Sequence, residues 1–151
     1  MKPKILIIGS TGKLGTKLVN FCINNNLKIS AITCYRNLAK VKKQSLKLNC
    51  KYYKLDNLID KNKFIKHISN TFYDLVYVLD YGYHSLKYVS LLCNNNSQSI
   101  FAIANKELLI AGGPLLRKLI LNKNNQMIPL DSEHFSLYKS QLINDEIDKV
   151  F

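Results

Sequence analysis

Short apolar runs alternate along this chain with longer segments whose apolar residues recur every three or four positions. The first run occupies 5–8, and Leu14, Leu18 and Phe21 then follow at helical spacing up to three asparagines at 24–26. A short continuous apolar run is typical of a strand buried on both faces, and the longer repeat is typical of a helix packed on that strand. Each such pair predicts one strand followed by one helix.

The pattern recurs through almost the whole chain. It predicts strands at 4–8, 27–33, 51–55, 74–79, 99–103 and 126–130, with a helix after each of the first five, two of them at 83–93 and 107–122. Strands that alternate with helices in this way form a parallel sheet covered on both faces. The predicted fold class is therefore α/β, a Rossmann-like doubly wound parallel sheet in a single domain.

The stretch GSTGKLG at 9–15 lies between the first strand and the first helix. Its glycines suit a tight turn (Gly9), close approach of the backbone to a phosphate (Gly12) and close packing of helix on strand (Gly15). Free N–H groups in the first turn of such a helix attract an anion. The turn therefore predicts a phosphate site, and the alternative is a strand-to-helix turn without a ligand.

Polar residues follow the strands, where ligands of doubly wound sheets bind. No acid stands after the second strand to accept the ribose 2′-hydroxyl of NAD, and Arg36 offers a planar cation for a 2′-phosphate. NADP is the predicted dinucleotide, although Arg36 taken alone is also compatible with an ordinary surface charge.

Composition narrows the class of protein. Among 151 residues that are 47% apolar, no apolar run approaches the roughly 20 residues of a membrane helix. The start MKPKILIIGS shows no leader, so we expect a cytoplasmic location and no membrane partner. Cysteines at 22, 34, 50 and 93 lack metal-ligand spacing. Despite a net charge of +12, the basic residues are scattered lysines apart from Arg36 and Arg117, so nucleic acid is not the expected partner.

Two later segments carry a family resemblance, AIANKELLIAGG at 102–113 and MIPLDSEHFSLY at 127–138. In this order behind a GSTG turn, they resemble the N-terminal part of 1-deoxy-D-xylulose 5-phosphate reductoisomerase. That family rearranges a sugar phosphate and reduces it with NADPH to 2-C-methyl-D-erythritol 4-phosphate, in non-mevalonate isoprenoid synthesis. The resemblance implies an NADPH-binding domain at 1–130 and the start of a catalytic domain at 131–151.

The resemblance also implies roles for single residues, carried over by position. Asp131 and Glu133 match metal ligands, Lys106, Ser132 and Glu133 match substrate contacts, and Lys106 and Glu133 match catalytic positions. The matched cofactor contacts are Thr11, Gly12, Lys13, Leu14, Tyr35, Arg36, Asn37, Asn105 and Glu107. The two carboxylates suit Mg²⁺ or Mn²⁺ through oxygen, although DSEH alone also reads as the start of a helix.

Several features depart from the family pattern. Lys13 replaces a serine, Tyr35 stands in place of a glycine, and LDYGYHSLKY replaces a glycine-rich stretch near the nicotinamide. The family's third metal carboxylate, substrate-phosphate residues and lid have no counterpart, so we expect no turnover by this chain alone. A separate chain with the missing part is the expected partner, and a homodimer is compatible with the resemblance. The alternatives are a non-catalytic NADPH- or partner-binding domain and a basic nucleic-acid binder.

Overall fold

The computed structural model describes residues 3–142, which form six strands and six helices in strict alternation. The strands are β1 (Ile5–Ile8), β2 (Ile29–Cys34), β3 (Lys51–Lys54), β4 (Leu75–Val78), β5 (Ile100–Ile103) and β6 (Gln126–Pro129). The helices are α1 (Lys13–Asn24), α2 (Leu38–Leu48), α3 (Leu58–Ser69), α4 (Leu86–Asn95), α5 (Lys106–Leu121) and α6 (Ser132–Leu142).

All six strands are parallel and form one sheet in the order β3-β2-β1-β4-β5-β6. The chain builds outward from β1 to β3, returns across the sheet through α3, and builds outward again from β4 to β6. The order reverses between β1 and β4, and such a point leaves a crevice beyond the carboxyl ends of the strands. The prediction of a Rossmann-like doubly wound sheet is confirmed.

The alternation of side chains along β1 explains why both faces are covered. Ile5 and Ile7 pack in one buried cluster with Val19 of α1 and Val41 of α2. Leu6 and Ile8 point to the opposite face, whose cluster includes Phe64 of α3, Leu92 of α4 and Leu108 of α5. Because successive residues of a strand face opposite ways, a strand that is apolar at every position requires a helical layer on each side.

Helix starts follow local polar chemistry. The side chains of Asn37, Asn57 and Asn105 each accept a hydrogen bond from the backbone N–H three residues on, which caps α2, α3 and α5. The predicted bounds differ by a few residues from those observed. The largest shift is at α4, which begins at Leu86 and not at 83, because the preceding residues form a turn with Gly82 at a positive φ of 78°.

Within residues 3–142, no helix is long and apolar enough to cross a membrane. The predicted cytoplasmic location is not tested by this finding and stays a prediction. The proposed catalytic segment 131–151 extends past Leu142, so its last nine positions lie outside the described residues.

Candidate functional site

The GSTGKLG turn stands at the carboxyl end of β1, with each glycine in a different environment. Gly9 has a positive φ of 86°, and a Cβ there would lie 2.6 Å from the backbone nitrogen of Asp80. A Cβ on Gly15 would overlap the carbonyl oxygen of Gly9, so α1 sits directly on the turn. Gly9 and Gly15 thus have the predicted structural roles.

Gly12 differs because it faces open space. It is exposed, and an added Cβ would meet only the carbonyl oxygen of Gly9, at 3.6 Å. Its φ of −67° is one that any residue adopts, so the backbone conformation at this position does not require a glycine. As the N-cap of α1 it has no side chain to satisfy first-turn N–H groups, and no acid stands in that turn. The surface is suited to an anion.

Buried polar side chains fix the turn to its neighbours. The N–H of Ser10 donates to the carbonyl oxygen of Thr33 at 2.9 Å, and the N–H of Gly9 donates to the Thr33 hydroxyl at 3.2 Å. Gln44 of α2 donates through Nε2 to the carbonyl oxygen of Ser10 at 2.9 Å, and its Oε1 lies 2.8 Å from the Ser10 hydroxyl. The turn is therefore held in one geometry from β2 and from α2.

The segment after β2 carries the predicted dinucleotide-selecting residues Tyr35, Arg36 and Asn37, and all three are exposed. The side chain of Asn37 caps α2 through the N–H of Lys40 at 3.0 Å. The guanidinium carbon of Arg36 lies 5.9 Å from the centre of the Tyr35 ring. No salt bridge involves Arg36 within the described residues, so its charge is available to an anion.

A cavity of about 240 Å³ lies between the ends of β2 and β4. Its lining includes Gly9, Tyr35, Leu55, Asp80, His84 and Tyr88. Tyr35 stacks on His84 with ring centres 5.6 Å apart, so the segments after β2 and β4 meet at the mouth. The cavity joins the glycine turn to an apolar pocket, an arrangement that can take a flat ring with an attached phosphate.

Asp80 is half-buried beside this cavity. Burial raises the pKa of its carboxyl group from 3.8 to about 6, and hydrogen bonds from Asn105 and Ser85 oppose that shift only in part. Asn105 is itself buried, donates to the carbonyl oxygen of Gly82 at 2.9 Å, and caps α5 through the N–H of Leu108. Its side chain thus ties α5 to the segment after β4, and the cofactor contact expected of Asn105 stays a prediction.

Lys106 and Glu133 meet across the ends of β5 and β6. The Lys106 ammonium donates to Oε1 of Glu133 at 2.9 Å, and the Ser132 hydroxyl donates to Oε2 at 2.8 Å. The bond from Lys106 is the main reason that the pKa of Glu133 falls to about 2. Glu107 is exposed in the first turn of α5, and Asp131 directly precedes α6. The ANKE and DSEH segments therefore lie together at one edge of the sheet, where Lys106, Ser132 and Glu133 form a polar rim.

Curated 1-deoxy-D-xylulose 5-phosphate reductoisomerases match this chain along nearly its whole length. It is 30% identical over 159 residues to the 1-deoxy-D-xylulose 5-phosphate reductoisomerase of Wolbachia pipientis wMel, a match covering 95% of the chain and 41% of the relative. The chain is homologous to the N-terminal part of these reductoisomerases. It spans about two-fifths of the length of the curated relatives it matches. No family model matches the chain.

Solved structures of the reductoisomerase share the fold. The enzyme from Zymomonas mobilis in complex with NADPH superposes with a TM-score of 0.76 at 19% identity, covering 89% of the chain and 40% of the enzyme. A reductoisomerase in complex with NADPH, fosmidomycin and magnesium gives a TM-score of 0.75 at 20% identity, covering 91% and 38%. The resemblance inferred from ANKE and DSEH is confirmed.

The donor set does not complete the metal site expected of a reductoisomerase. Within the described part of the chain, no group of three or more histidine, cysteine, aspartate or glutamate side chains is placed to hold a metal ion. Of the two predicted ligands, Glu133 is engaged by Lys106 and Ser132. Two carboxylates leave most of an octahedral shell unfilled, so this chain alone offers an incomplete site that would hold a divalent cation only weakly.

Three residues that the sequence analysis did not assign contact the site. Gln44 and Lys40 reach the glycine turn from α2, and His84 stacks on Tyr35. The two α2 residues lie four positions apart, on the helix face that also presents Val41 to the core. A polar residue on an otherwise apolar helix face could have indicated from the sequence that Gln44 makes a buried contact. Nothing in the local sequence distinguishes Lys40 from the other lysines.

Proposed function

We propose that this chain is the NADPH-binding part of a 1-deoxy-D-xylulose 5-phosphate reductoisomerase. The observation that carries the proposal is the open Gly12 surface after β1 together with Arg36 after β2, which forms no salt bridge within residues 3–142. Both lie on the same edge of the sheet as the ANKE and DSEH rim. The Gly12 surface suits the pyrophosphate of a dinucleotide, and Arg36 suits a 2′-phosphate. The rim suits a sugar phosphate. NADPH, when bound, supplies the hydride of the reduction.

The residues divide by role. Thr11, Gly12, Lys13 and Leu14 would hold the pyrophosphate at the start of α1, and Tyr35, Arg36 and Asn37 would surround the 2′-phosphate. Asn105 and Glu107 would line the cofactor further along the edge. On the rim, Lys106 would bind and orient the sugar phosphate with Ser132 and Glu133. The cavity beside Tyr35 and His84, lined by both apolar and polar side chains, would accommodate the adenine ring.

The domain assignment, 1–130 for the cofactor and 131–151 for the start of a catalytic domain, belongs to this proposal. The chain spans only 41% of its Wolbachia relative, so the rest of the site would come from a C-terminal part on the same or a separate chain. The divalent metal, Mg²⁺ or Mn²⁺, would need that part because Asp131 and Glu133 do not suffice.

Calorimetric titration of the 151-residue chain with NADPH and with NADH tests the cofactor proposal. We expect measurable binding of NADPH, weaker binding of NADH, and no turnover of 1-deoxy-D-xylulose 5-phosphate by this chain alone. The C-terminal three-fifths of a homologous reductoisomerase, added as a second chain, should restore some activity. Absence of NADPH binding would overturn the proposal, and so would turnover by the isolated chain.

A second candidate is a non-catalytic NADPH-binding domain. It is favoured by the segment after β4, where the stacked His84 and the half-buried Asp80 occupy the place of the family's glycine-rich stretch. Bulky side chains there would narrow the space that the glycine-rich stretch leaves for the cofactor. NADPH binding without any activity in the completed assembly would support this candidate, and activity would exclude it.

A further inference from the structure

A lysine on α2 reaches across to the glycine turn. The Lys40 ammonium, on a partly buried side chain, donates a hydrogen bond of 2.9 Å to the carbonyl oxygen of Thr11. Lys40 lies in the first turn of α2, whose cap is Asn37. The structure thus places a cation beside the loop that we propose for the pyrophosphate, on the side that faces the end of β2.

The Lys40 ammonium group has hydrogen-bond donors beyond the one that Thr11 accepts. An ammonium group has three N–H donors and no acceptor, and the Thr11 carbonyl uses one of them. The salt bridges found in residues 3–142 join Lys54 to Asp56, Lys63 to Asp60 and Lys106 to Glu133, and none includes Lys40. Two donors and a full positive charge therefore remain for a ligand.

The position of Lys40 indicates which part of a bound dinucleotide it would contact. The ribose of the adenosine half lies between the glycine turn and the end of the second strand in folds of this class. Thr11 belongs to the first of these segments and Arg36 to the second, and Lys40 touches Thr11 from the helix that begins two residues after Arg36. A doubly charged phosphate on the ribose 2′-oxygen would meet both cations.

We propose that Lys40, together with Arg36, binds the 2′-phosphate of NADPH and sets the preference for NADPH over NADH. The inference rests on the proposed function, because it assigns a specificity-determining residue to the same cofactor site. It adds a residue that no motif of the sequence analysis includes.

Gln44 makes it possible to test the charge of Lys40 separately from the geometry of the glycine turn. Gln44, one turn further along α2, holds the turn through the carbonyl oxygen of Ser10 at 2.9 Å and through the Ser10 hydroxyl at 2.8 Å. Because Gln44 stays in place, replacing Lys40 removes the charge and leaves the main anchor between α2 and the turn. A change in cofactor preference can then be separated from a change in loop geometry.

The experiment compares the wild-type chain with Lys40→Met, Lys40→Arg and the control Lys43→Met, which removes an exposed charge one turn along the same helix. Dissociation constants are measured for NADPH, NADH and adenosine 2′,5′-bisphosphate, which carries the 2′-phosphate without a nicotinamide. Lys40→Met should weaken NADPH and the bisphosphate roughly ten- to hundred-fold, the range for a hydrogen bond to a charged group. NADH should change by less than about twofold.

Lys40→Arg should keep the preference for NADPH, and Lys43→Met should bind all three ligands like the wild type. Equal losses for NADPH and NADH in Lys40→Met would show that Lys40 only positions the turn, and unchanged binding of both would show that it does not reach the ligand. Either result overturns the Lys40 proposal while the proposed function stands. Failure of the wild-type chain to bind NADPH overturns both.

Discussion

Lys106 and Glu133 form an ion pair of 2.9 Å between the start of α5 and the first turn of α6. Twenty-seven residues separate them in the chain. They meet because β5 and β6 are neighbouring parallel strands, so that the segments after both strands emerge at the same edge. The two residues matched to catalytic positions of the reductoisomerases therefore contact each other directly.

The selectivity for NADPH is tested first at Arg36. Arg36→Ala should weaken NADPH binding by roughly 1–3 kcal/mol, the range for a charge-assisted contact, because the guanidinium is proposed to pair with the 2′-phosphate. NADH, which lacks that phosphate, should bind as before. Calorimetry with both cofactors measures the difference, and Arg117→Ala, an exposed arginine of α5, controls for net charge. Equal losses for NADPH and NADH would contradict the assignment.

The pyrophosphate surface is tested at Gly12. Gly12→Val should leave the fold intact, since the φ of −67° is ordinary and the added Cβ meets only the Gly9 carbonyl at 3.6 Å. The larger side chain would stand over the first-turn N–H groups of α1, so NADPH binding should fall below detection. Circular dichroism checks folding and calorimetry checks binding. A folded variant with unchanged affinity would refute the phosphate-loop assignment.

The packing of α1 on β1 is tested at Gly15. Gly15→Ala should lower the free energy of unfolding by roughly 1–3 kcal/mol, because the new Cβ overlaps the backbone of Gly9 and Ser10 in a well-packed contact. Gly12→Ala, made in the same turn, should change it by less than about 0.5 kcal/mol. Urea unfolding of both variants gives the comparison. Equal changes in the free energy of unfolding at the two positions would show that the close contact of Gly15 with Gly9 and Ser10 does not decide the effect of an added Cβ.

Much of this architecture follows from local pattern. The apolar run at β1 has no polar interruption, which predicts a strand covered on both faces, and the GSTG turn predicts where the ligand edge begins. Lys106 and Glu133 follow the fifth and sixth strands, so their adjacency depends on the pairing of those two strands, which the structure shows. The asparagine stop at 24–26 likewise coincides with the end of α1 at Asn24.

The contacts between distant loops did not follow from pattern. Tyr35 and His84 are far apart in the chain, and their stacking depends on how the ends of β2 and β4 approach one another. A histidine near a helix start looks like a surface residue until that approach is known. Asn105 illustrates the converse: ANKE suggested a ligand contact, and the buried side chain also caps α5 and joins it to Gly82.

Asp80 should make stability depend on pH. The folded state holds its proton more tightly than the unfolded chain, because burial raises the pKa from 3.8 to about 6. The stabilising contribution is therefore complete below pH 4 and is lost as the pH rises through about 6. Asparagine does not titrate, so Asp80→Asn should not lose this stability as the pH rises. The difference in free energy of unfolding, variant minus wild type, should therefore increase by up to about 3 kcal/mol from pH 4 to pH 7.

Urea unfolding at several pH values measures that difference. Burial lowers the pKa of His67, which gives a slope of the opposite sign, but His67 is present in both proteins and cancels. A constant difference between Asp80→Asn and wild type across this range would show that the Asp80 carboxyl group titrates normally.

The last prediction concerns a divalent cation at Asp131 and Glu133. A cation must displace the Lys106 ammonium from Glu133 and would still have only two carboxylates, so Mn²⁺ should bind with a dissociation constant on the order of 1 mM. Lys106→Met should tighten this binding several-fold by removing the competing charge, and Glu133→Gln should abolish it. Lys118→Met, an exposed charge near the end of α5, is the matched control. Calorimetric titration of each variant with Mn²⁺ measures the dissociation constants. If Lys106→Met and the wild-type chain bind Mn²⁺ with equal affinity, the cation does not use Glu133. Tight binding by the wild-type chain would mean that the described carboxylates are not the whole ligand set.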